Sequence, residues 1–245
     1  MPEDIYPERF CAFIDILGFR ALVARLGKDT GAVESLREIL KEVHSPKIPG
    51  LADPASVSYR TQSISDAVAI STTPTPEGLL MLFGVLNHLT FSLLQEGYFV
   101  RGAIVRGRLY HDDAIIFGEA LIRAYDLETT VSKYPRIVVH SQVIAGLPTG
   151  VLGESCKGNV LSSEDGPIYL NILSRTNYDL VISKDPVTFE RYREIKEKLH
   201  KRYREAIDNP AHFEKLKWFV AYWNKSLPEQ YAIYRVDDTG LAYLI

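Results

Sequence analysis

The chain has 245 residues, of which 46% are hydrophobic and 24% are charged, as in an ordinary globular protein. Its formal net charge of −3 argues against the basic surface that nucleic-acid binding requires. The only cysteines, Cys11 and Cys156, cannot form a disulfide framework or a zinc cluster. The N-terminus has no signal-peptide pattern, and polar residues interrupt the most apolar stretch, 79–94. We therefore expect a soluble cytoplasmic protein with no membrane span and no bound nucleic acid.

The first half of the chain predicts alternating strands and helices. An apolar strand at 10–16 precedes a helical stretch at 19–43, and a proline-rich loop leads to two strand-like runs, 57–61 and 67–71. A helix capped by Thr75 then extends to Gln95. It is followed by a strand pair within 98–110, a helix at 118–127 and a strand at 135–140. This order predicts an α+β fold with helices on one face of a mainly antiparallel sheet.

The second half of the chain has a different pattern. Asp165-Gly166 indicates a hairpin, and Pro186 and Pro210 each open an amphipathic helix. We interpret residues 1–144 as a core and residues 145–245 as a C-terminal α/β extension packed on it. The basic stretch 191–204 is typical of a solvated helix face, with phosphate binding as the alternative.

Two aspartates occur where a carboxylate is unexpected. Asp15 interrupts an apolar strand, which is costly unless the carboxylate is paired or binds a metal. Asp66 lies at the tip between two strand-like runs. Either residue could be structural, Asp15 bonded to backbone amides and Asp66 as an ordinary turn residue. If the strands are neighbours, however, both carboxylates meet at one edge, as Mg²⁺ or Mn²⁺ requires.

Four segments together resemble the motifs of class III adenylyl and guanylyl cyclases, in the order of that family. Residues 13–19 resemble the first metal motif, and Ser65-Asp66-Ala67 is similar to the second, which is normally Gly-Asp-Ala or Gly-Asp-Ser. Residues 101–107 resemble a later strand of the family, and residues 117–128 resemble its helix motif. The resemblance covers roughly residues 8–140 and implies a ferredoxin-like cyclase core.

The resemblance also implies a reaction and a site. The ribose 3′-hydroxyl of a nucleoside triphosphate would attack its own α-phosphate and release pyrophosphate. Asp15 and Asp66, with the Ile16 carbonyl, would hold two Mn²⁺ or Mg²⁺ ions per site. The turn after the first strand would bind the phosphates through Leu17, Gly18, Phe19 and Arg20. Because the site of this family lies between two cores, a chain with one core implies a homodimer with two equivalent sites.

The chain departs from the adenylyl cyclases at four positions. Ile122 and Asp126 occupy the positions of the Asn and Arg that stabilise the transition state, and Gln62 and Ile115 occupy those of the base-reading Lys and Asp. The chain is therefore more similar to the bacterial pyrimidine cyclases of anti-phage defence, which make cyclic UMP or CMP. That resemblance implies UTP or CTP as substrate and a cyclic-nucleotide effector downstream.

Other residues are candidates to complete such a site. Arg106 is the candidate catalytic cation, with Arg101 and Arg123 as further phosphate-binding candidates that could reach across a dimer interface. Arg101 and Arg106 could equally be solvated residues of a strand. Tyr59 is a candidate base contact, although a structural role is the simpler interpretation. The cluster that begins at His111 is interpreted as a hydrated turn.

Two alternatives to a cyclase remain from the sequence. A degenerate cyclase core could bind a nucleotide and regulate a partner, which the loss of the Asn and Arg favours. A palm-type enzyme could use two metal-binding aspartates to make oligonucleotides, but the helix motif at 117–128 argues against it.

Overall fold

A computed structural model describes residues 4–26, 29–176 and 178–238. Seven strands form one sheet in the order β2-β3-β1-β4-β7-β9-β8. Only the β4–β7 pairing is parallel, so the predicted α+β class with a mainly antiparallel sheet is confirmed. The strands of the sheet are β1 (Glu8–Leu17), β2 (Arg60–Ile64), β3 (Ala67–Thr72), β4 (Phe99–Arg108), β7 (Ile137–Val139), β8 (Val160–Ser162) and β9 (Ile168–Leu170). A separate ribbon pairs β5 (Tyr110–His111) with β6 (Ile116–Phe117).

Eight α-helices connect or cover these strands in the described part of the chain. They are α1 (Phe19–Leu26), α2 (Thr30–His44), α3 (Pro76–Gln95), α4 (Glu119–Thr130), α5 (Ser141–Ala145), α6 (Val151–Gly158), α7 (Pro186–Glu205) and α8 (Pro210–Ser226). Side-chain caps begin the predicted helices as the sequence indicates, with Thr75 accepting from the Gly78 N–H before α3. Asp185 and Asn209 cap α7 and α8 in the same way, each before a proline in the first turn.

Helices lie on both faces of the sheet, so the expectation of helices on one face alone was wrong. Even-numbered residues of β1, such as Phe10 and Ile14, belong to the large hydrophobic cluster that contains α3. Odd-numbered residues, such as Cys11, pack with Ala120 and Ala124 of α4. Because successive strand residues point to opposite faces, α3 and α4 cover opposite sides of β1. We call the second side the α4 face.

The second half of the chain shares its core with the first. Strands β8 and β9 extend the same sheet beyond β7, and α6 and α7 both contact α3. On α8, Tyr222 and Trp223 belong to the large cluster, and Trp218 packs against it. The division at residue 144 stays a prediction.

Helix α3 is the one described helix that is long and apolar enough to cross a membrane by length and composition. Leu82, Leu86 and Leu89 are fully buried, and most of the helix lies inside the fold. Burial within a core of this kind accounts for its apolar composition.

The hairpin between β2 and β3 has a two-residue loop, Ser65-Asp66, flanked by the paired residues Ile64 and Ala67. Ser65 has a φ of 59°, a conformation that costs a residue with a Cβ atom but not a glycine. Ser65 thus holds Asp66 in place at a cost in backbone energy.

We predict that Ser65→Gly raises the free energy of unfolding by about 0.5–1 kcal/mol, because relief of the positive φ outweighs the added chain entropy of glycine. Urea denaturation measures the change. The matched control, Ser162→Gly in the exposed strand β8, has no positive φ to relieve and should lower stability. Equal destabilisation by both substitutions would contradict the prediction.

Candidate active site

Asp15 and Asp66 lie at the same edge of the sheet. Asp15 is near the end of β1 and pairs with Ala67 on β3, the residue that follows Asp66. The Ile16 N–H donates to the Asp66 carbonyl oxygen at 2.9 Å, which fixes the hairpin tip against β1. Strand alternation places the Asp15 side chain on the α4 face, on the same side as Phe13.

Arg101 is the immediate partner of Asp15. The two residues are paired across β1 and β4, and Arg101 Nε donates to Asp15 Oδ2 at 3.1 Å. The same Nε lies 2.6 Å from Glu128 Oε1 on α4. The single hydrogen of Arg101 Nε points at Asp15. Glu128 Oε1 therefore forms an ion pair with Arg101 but has no hydrogen-bond partner among the described residues. Arg101 therefore bridges two carboxylates.

Glu128 belongs to this site, although it was not among the residues assigned to it from the sequence. Its side chain is only 3% exposed. Ala120, Ala124 and Glu128 recur at intervals of four along α4 and are all buried. A carboxylate that continues a helical stripe of buried residues was the signal that could have identified it.

The charges of this site act on one another. Burial raises the pKa of Glu128, Arg101 opposes this effect, and the negative charges of Asp15 and Asp66 add to it. Three carboxylates and one guanidinium leave a surplus of two negative charges at this edge.

The donor set fits a hard divalent cation that also binds substrate phosphates. No three described Asp, Glu, His or Cys side chains converge as a complete ligand set. An ion held by Asp15 and Asp66 alone would need water and phosphate oxygens to complete its shell, as Mg²⁺ prefers. Glu128 remains behind Arg101 as a source of further negative charge.

The predicted phosphate-binding turn, residues 17–20, comes directly after Asp15 and Ile16 at the end of β1. Gly18 has a φ of 80°, which lets the chain turn from β1 into α1 at Phe19. The Leu22 N–H bonds to the Gly18 carbonyl oxygen at 3.2 Å. Gly18 and Arg20 are exposed, and Leu17 and Phe19 are half-buried. The first amide of α1, that of Phe19, is therefore four residues after Asp15.

The two predicted base-reading positions are neighbours in the structure. Gln62 Nε2 donates to the Ala114 carbonyl oxygen at 3.0 Å, and Ile115 follows Ala114 in the loop between β5 and β6. Gln62 pairs with Ala69, which pairs with Phe13, so its side chain is on the α4 face with Asp15. Gln62 Oε1 is buried and has no hydrogen-bond partner in the described part of the chain.

The fold does not bring Tyr59 to this site, so its suggested role as a contact to the base is wrong. Its side chain is 6% exposed, and its hydroxyl donates to the Val43 carbonyl oxygen at 2.6 Å. Burial raises its pKa well above the usual range. Tyr59 also precedes β2, five residues from Ile64, or about 17 Å at the ordinary rise of a strand. Its role is structural.

Arg106 is likewise on the wrong side of the sheet for the same chain's Asp15. Arg106 pairs with Phe10 of β1, on the face opposite to Asp15. Its guanidinium forms two hydrogen bonds with Glu8, at 2.6 and 3.0 Å. Arg106 therefore does not reach the Asp15 of its own chain, and its predicted role across a dimer interface stays a prediction.

Arg123 lies on α4, and its guanidinium is already bonded. It donates to the Arg106 carbonyl oxygen at 3.2 Å, to Glu119 at 3.2 Å and to Gln142 at 3.0 Å. No contact with Asp15 is found for it in the described structure. Ile122 and Asp126, which the sequence resemblance aligned with the transition-state residues of adenylyl cyclases, are exposed on the same helix.

His111 is buried, so the interpretation of this cluster as a hydrated turn was wrong for the histidine. Its Nδ1 lies 2.7 Å from Ser71 Oγ, which also accepts from Arg9 Nε at 2.9 Å. Burial, followed by the charges of Arg9 and Arg60, lowers the pKa of His111 to about 4. The network joins β1, β3 and β5 away from Asp15.

No protein-family model and no curated protein matches the sequence. Among solved structures, the chain is similar to a bacterial light-regulated adenylyl cyclase, at 14% identity and a TM-score of 0.45, over 68% of this chain and 52% of that one. It is also similar to a class III adenylyl cyclase-like ATP-binding protein from Pseudomonas aeruginosa, at 16% identity and a TM-score of 0.41. That match covers 59% of this chain and 35% of the other. The chain thus spans about half of the first protein and about a third of the second. Both likenesses concern the fold alone and carry no conclusion about activity, substrate or assembly.

We predict that Arg101→Met lowers the free energy of unfolding by about 2–4 kcal/mol, because it leaves Glu128 buried without a cation. Adding Glu128→Gln should recover more than about 1 kcal/mol of that loss, since the buried charge is then gone. Denaturant unfolding of the two single variants and the double variant gives the coupling. The control pair Glu154–Lys157, exposed on α6, should show a coupling below about 0.5 kcal/mol. Strictly additive effects of Arg101→Met and Glu128→Gln would contradict the bridge.

Proposed function

We propose that the protein is a metal-dependent nucleotide cyclase that converts a nucleoside triphosphate into a 3′,5′-cyclic nucleotide and pyrophosphate. The observation that supports this most is the meeting of Asp15 and Asp66 at one edge of the sheet, beside the Gly18 turn. In the reaction, a bond forms between O3′ and the α-phosphorus, and the bond from that phosphorus to the pyrophosphate oxygen breaks. The 3′-hydroxyl proton is transferred to solvent.

The bound divalent ions would lower the pKa of the 3′-hydroxyl and neutralise the triphosphate. The chain's own residues position the substrate. Asp15 and Asp66 hold the ions, and the amides at the start of α1 bind phosphate oxygens. Arg101 remains close to Glu128 when Asp15 takes another partner, so its free Nη groups are available to the α-phosphate. Such a preorganised cation stabilises the charge that develops at phosphorus.

The base would lie against Gln62 and Ile115. The family's charged pair, which reads adenine, is absent at these positions, so the site lacks the hydrogen bonds that favour ATP. Gln62 Oε1 is buried without a hydrogen-bond partner among the described residues, and as an acceptor it would serve a donor on any of the four bases. The choice of base therefore depends on the absent adenine-reading pair and on the resemblance to the pyrimidine cyclases. We therefore assign UTP or CTP as the substrate, and we place the product in cytoplasmic signalling of the anti-phage type through a cyclic-nucleotide effector.

A second candidate is a degenerate core that binds a nucleotide without turnover. The Arg101–Asp15 ion pair favours it, because a guanidinium already occupies one side of a proposed metal ligand. The exposed Ile122 and Asp126 offer no transition-state donor. The two candidates differ in whether product forms.

We expect the purified protein with Mn²⁺ to convert UTP or CTP to the cyclic monophosphate in preference to ATP and GTP, as measured by mass analysis of the products. Asp15→Asn and Asp66→Asn should each lower the rate by at least about 10²-fold, because each removes a metal-binding charge while changing little volume. Glu34→Gln, an exposed charge removal on α2, is the control and should leave the rate unchanged. Nucleotide binding without product would favour the degenerate core, linear oligonucleotides would indicate a palm-type enzyme, and exclusive use of ATP would overturn the assigned base.

We further propose that the enzyme is a homodimer that joins through the α4 face. Large apolar side chains are more than half exposed around the site there: Ile64, Ile115, Phe117, Ile122 and Tyr125. Ile64 shares the Asp15 face because it pairs with Ala67, and Tyr125 contacts Phe13 edge to face. Exposed apolar surface of this extent is typical of an interaction site.

Ile122→Asp should convert the dimer to a monomer and abolish turnover, because a charge on this apolar surface is costly to bury. Sedimentation velocity reports the mass, and the nucleotide assay reports the rate. Val151→Asp on α6 is the matched control, since Val151 is 84% exposed but lies outside this surface. A wild-type protein that is monomeric and active would disprove the dimer.

A further inference from the structure

A cavity of about 470 Å³ opens beside the phosphate turn, between the core and the last two α-helices. Leu17 and Gly18 form one side of it, and Tyr98 and Phe99 at the start of β4 form another. The remaining wall comes from the end of α7 and the beginning of α8. The cavity therefore begins where the turn after Asp15 ends.

The polar part of this wall is basic. Arg202 on α7 and His212 and Lys215 on α8 line the cavity, and no described lining residue is acidic. Burial lowers the pKa of His212, and the neighbouring charges of Arg202 and Lys215 lower it further. Arg202 and Lys215 therefore both lie close enough to His212 to disfavour its protonated form.

Neighbouring residues compensate this charge only weakly. Arg202 has an ion pair with Glu205 at 4.0 Å, the limit for such a contact. For Lys215 no ion pair is found within the described chain. His212 and Lys215 also lie in the first two turns of α8, where the helix dipole disfavours positive charge. Arg202, in the last turn of α7, is favourably placed by the same rule. An anion in the cavity would compensate the charges of Arg202 and Lys215 and would favour the protonated form of His212.

We propose that Arg202, His212 and Lys215 bind the diphosphate end of the nucleoside triphosphate, so that the C-terminal segment supplies phosphate-binding cations in the same chain. This inference rests on the proposed function. Leu17 is two strand residues beyond Asp15, about 7 Å along β1. A phosphate chain that starts at Asp15 and passes the Gly18 turn reaches the cavity. The cations of α7 and α8 then complement the site in place of the missing donor on α4.

The test uses inorganic pyrophosphate and the full-length chain without added metal, so that it is independent of turnover. We expect isothermal titration calorimetry to show binding to the wild type that weakens with added salt. The double substitution Arg202→Ala/Lys215→Ala should weaken it by about tenfold or more, since two charge-assisted contacts are lost. The control is Arg204→Ala/Lys217→Ala. It removes one exposed charge from each of the same two helices, two residues after the cavity residue, and should leave the affinity for pyrophosphate unchanged.

Turnover separates this inference from the proposed function. If the enzyme is active, the pocket variant should raise KM for the nucleotide by a similar factor, and the control variant should not. No pyrophosphate binding to the wild type, or equal binding by both double variants, would overturn the site. Weaker pyrophosphate binding with an unchanged KM would assign the cavity to a separate anion and overturn the substrate role. Pyrophosphate binding that only the pocket variant loses, in a protein that converts no nucleotide, would keep the anion site and reject the cyclase.

Discussion

The structure depends on the position of β1 in the interior of the sheet, with β3 on one side and β4 on the other. A strand that is paired on both sides has a fixed register, so each side chain is committed to one face. Phe10 and Ile14 fill the large core, and Cys11 packs under α4. The same alternation brings Asp15 out on the α4 face, where Arg101 and the hairpin tip converge.

The strand and helix types of the first 140 residues were largely predictable, because each has a clear period and a clear stop. Asp15 and Asp66 could be placed at one edge because both the apolar strand and the hairpin are visible in the sequence. The face of the sheet on which each side chain lies was harder to predict. Arg101 and Arg106 lie in one continuous strand, β4, and their positions differ by five, an odd number, so they occupy opposite faces. The sequence suggested a strand pair at 98–110 and so did not give their relative orientation.

Tertiary contacts decided the remaining cases. Tyr59 and His111 are polar residues next to predicted turns, but long-range packing buries both. Glu128 lies beneath Arg101, which comes from a strand 27 residues earlier in the chain. Arg202 belongs to a basic stretch typical of a solvated helix face, and only the approach of α8 to the phosphate turn places it in a cavity. Local pattern cannot reveal such contacts, because they arise from elements far apart in sequence.

The position of β1 between β3 and β4 also affects how the chain folds during its synthesis. β1 ends at Leu17, but its two partners end at Thr72 and Arg108, so ribosomal synthesis releases it long before either strand exists. The apolar residues of β1 therefore stay unpaired at first. The large hydrophobic cluster on one face of β1 is complete only after α8 has been synthesised. A nascent chain with an exposed apolar strand and mostly long-range pairings folds slowly and is prone to aggregation. The strand that organises the finished site is therefore also an apolar segment that stays without its partners early in synthesis.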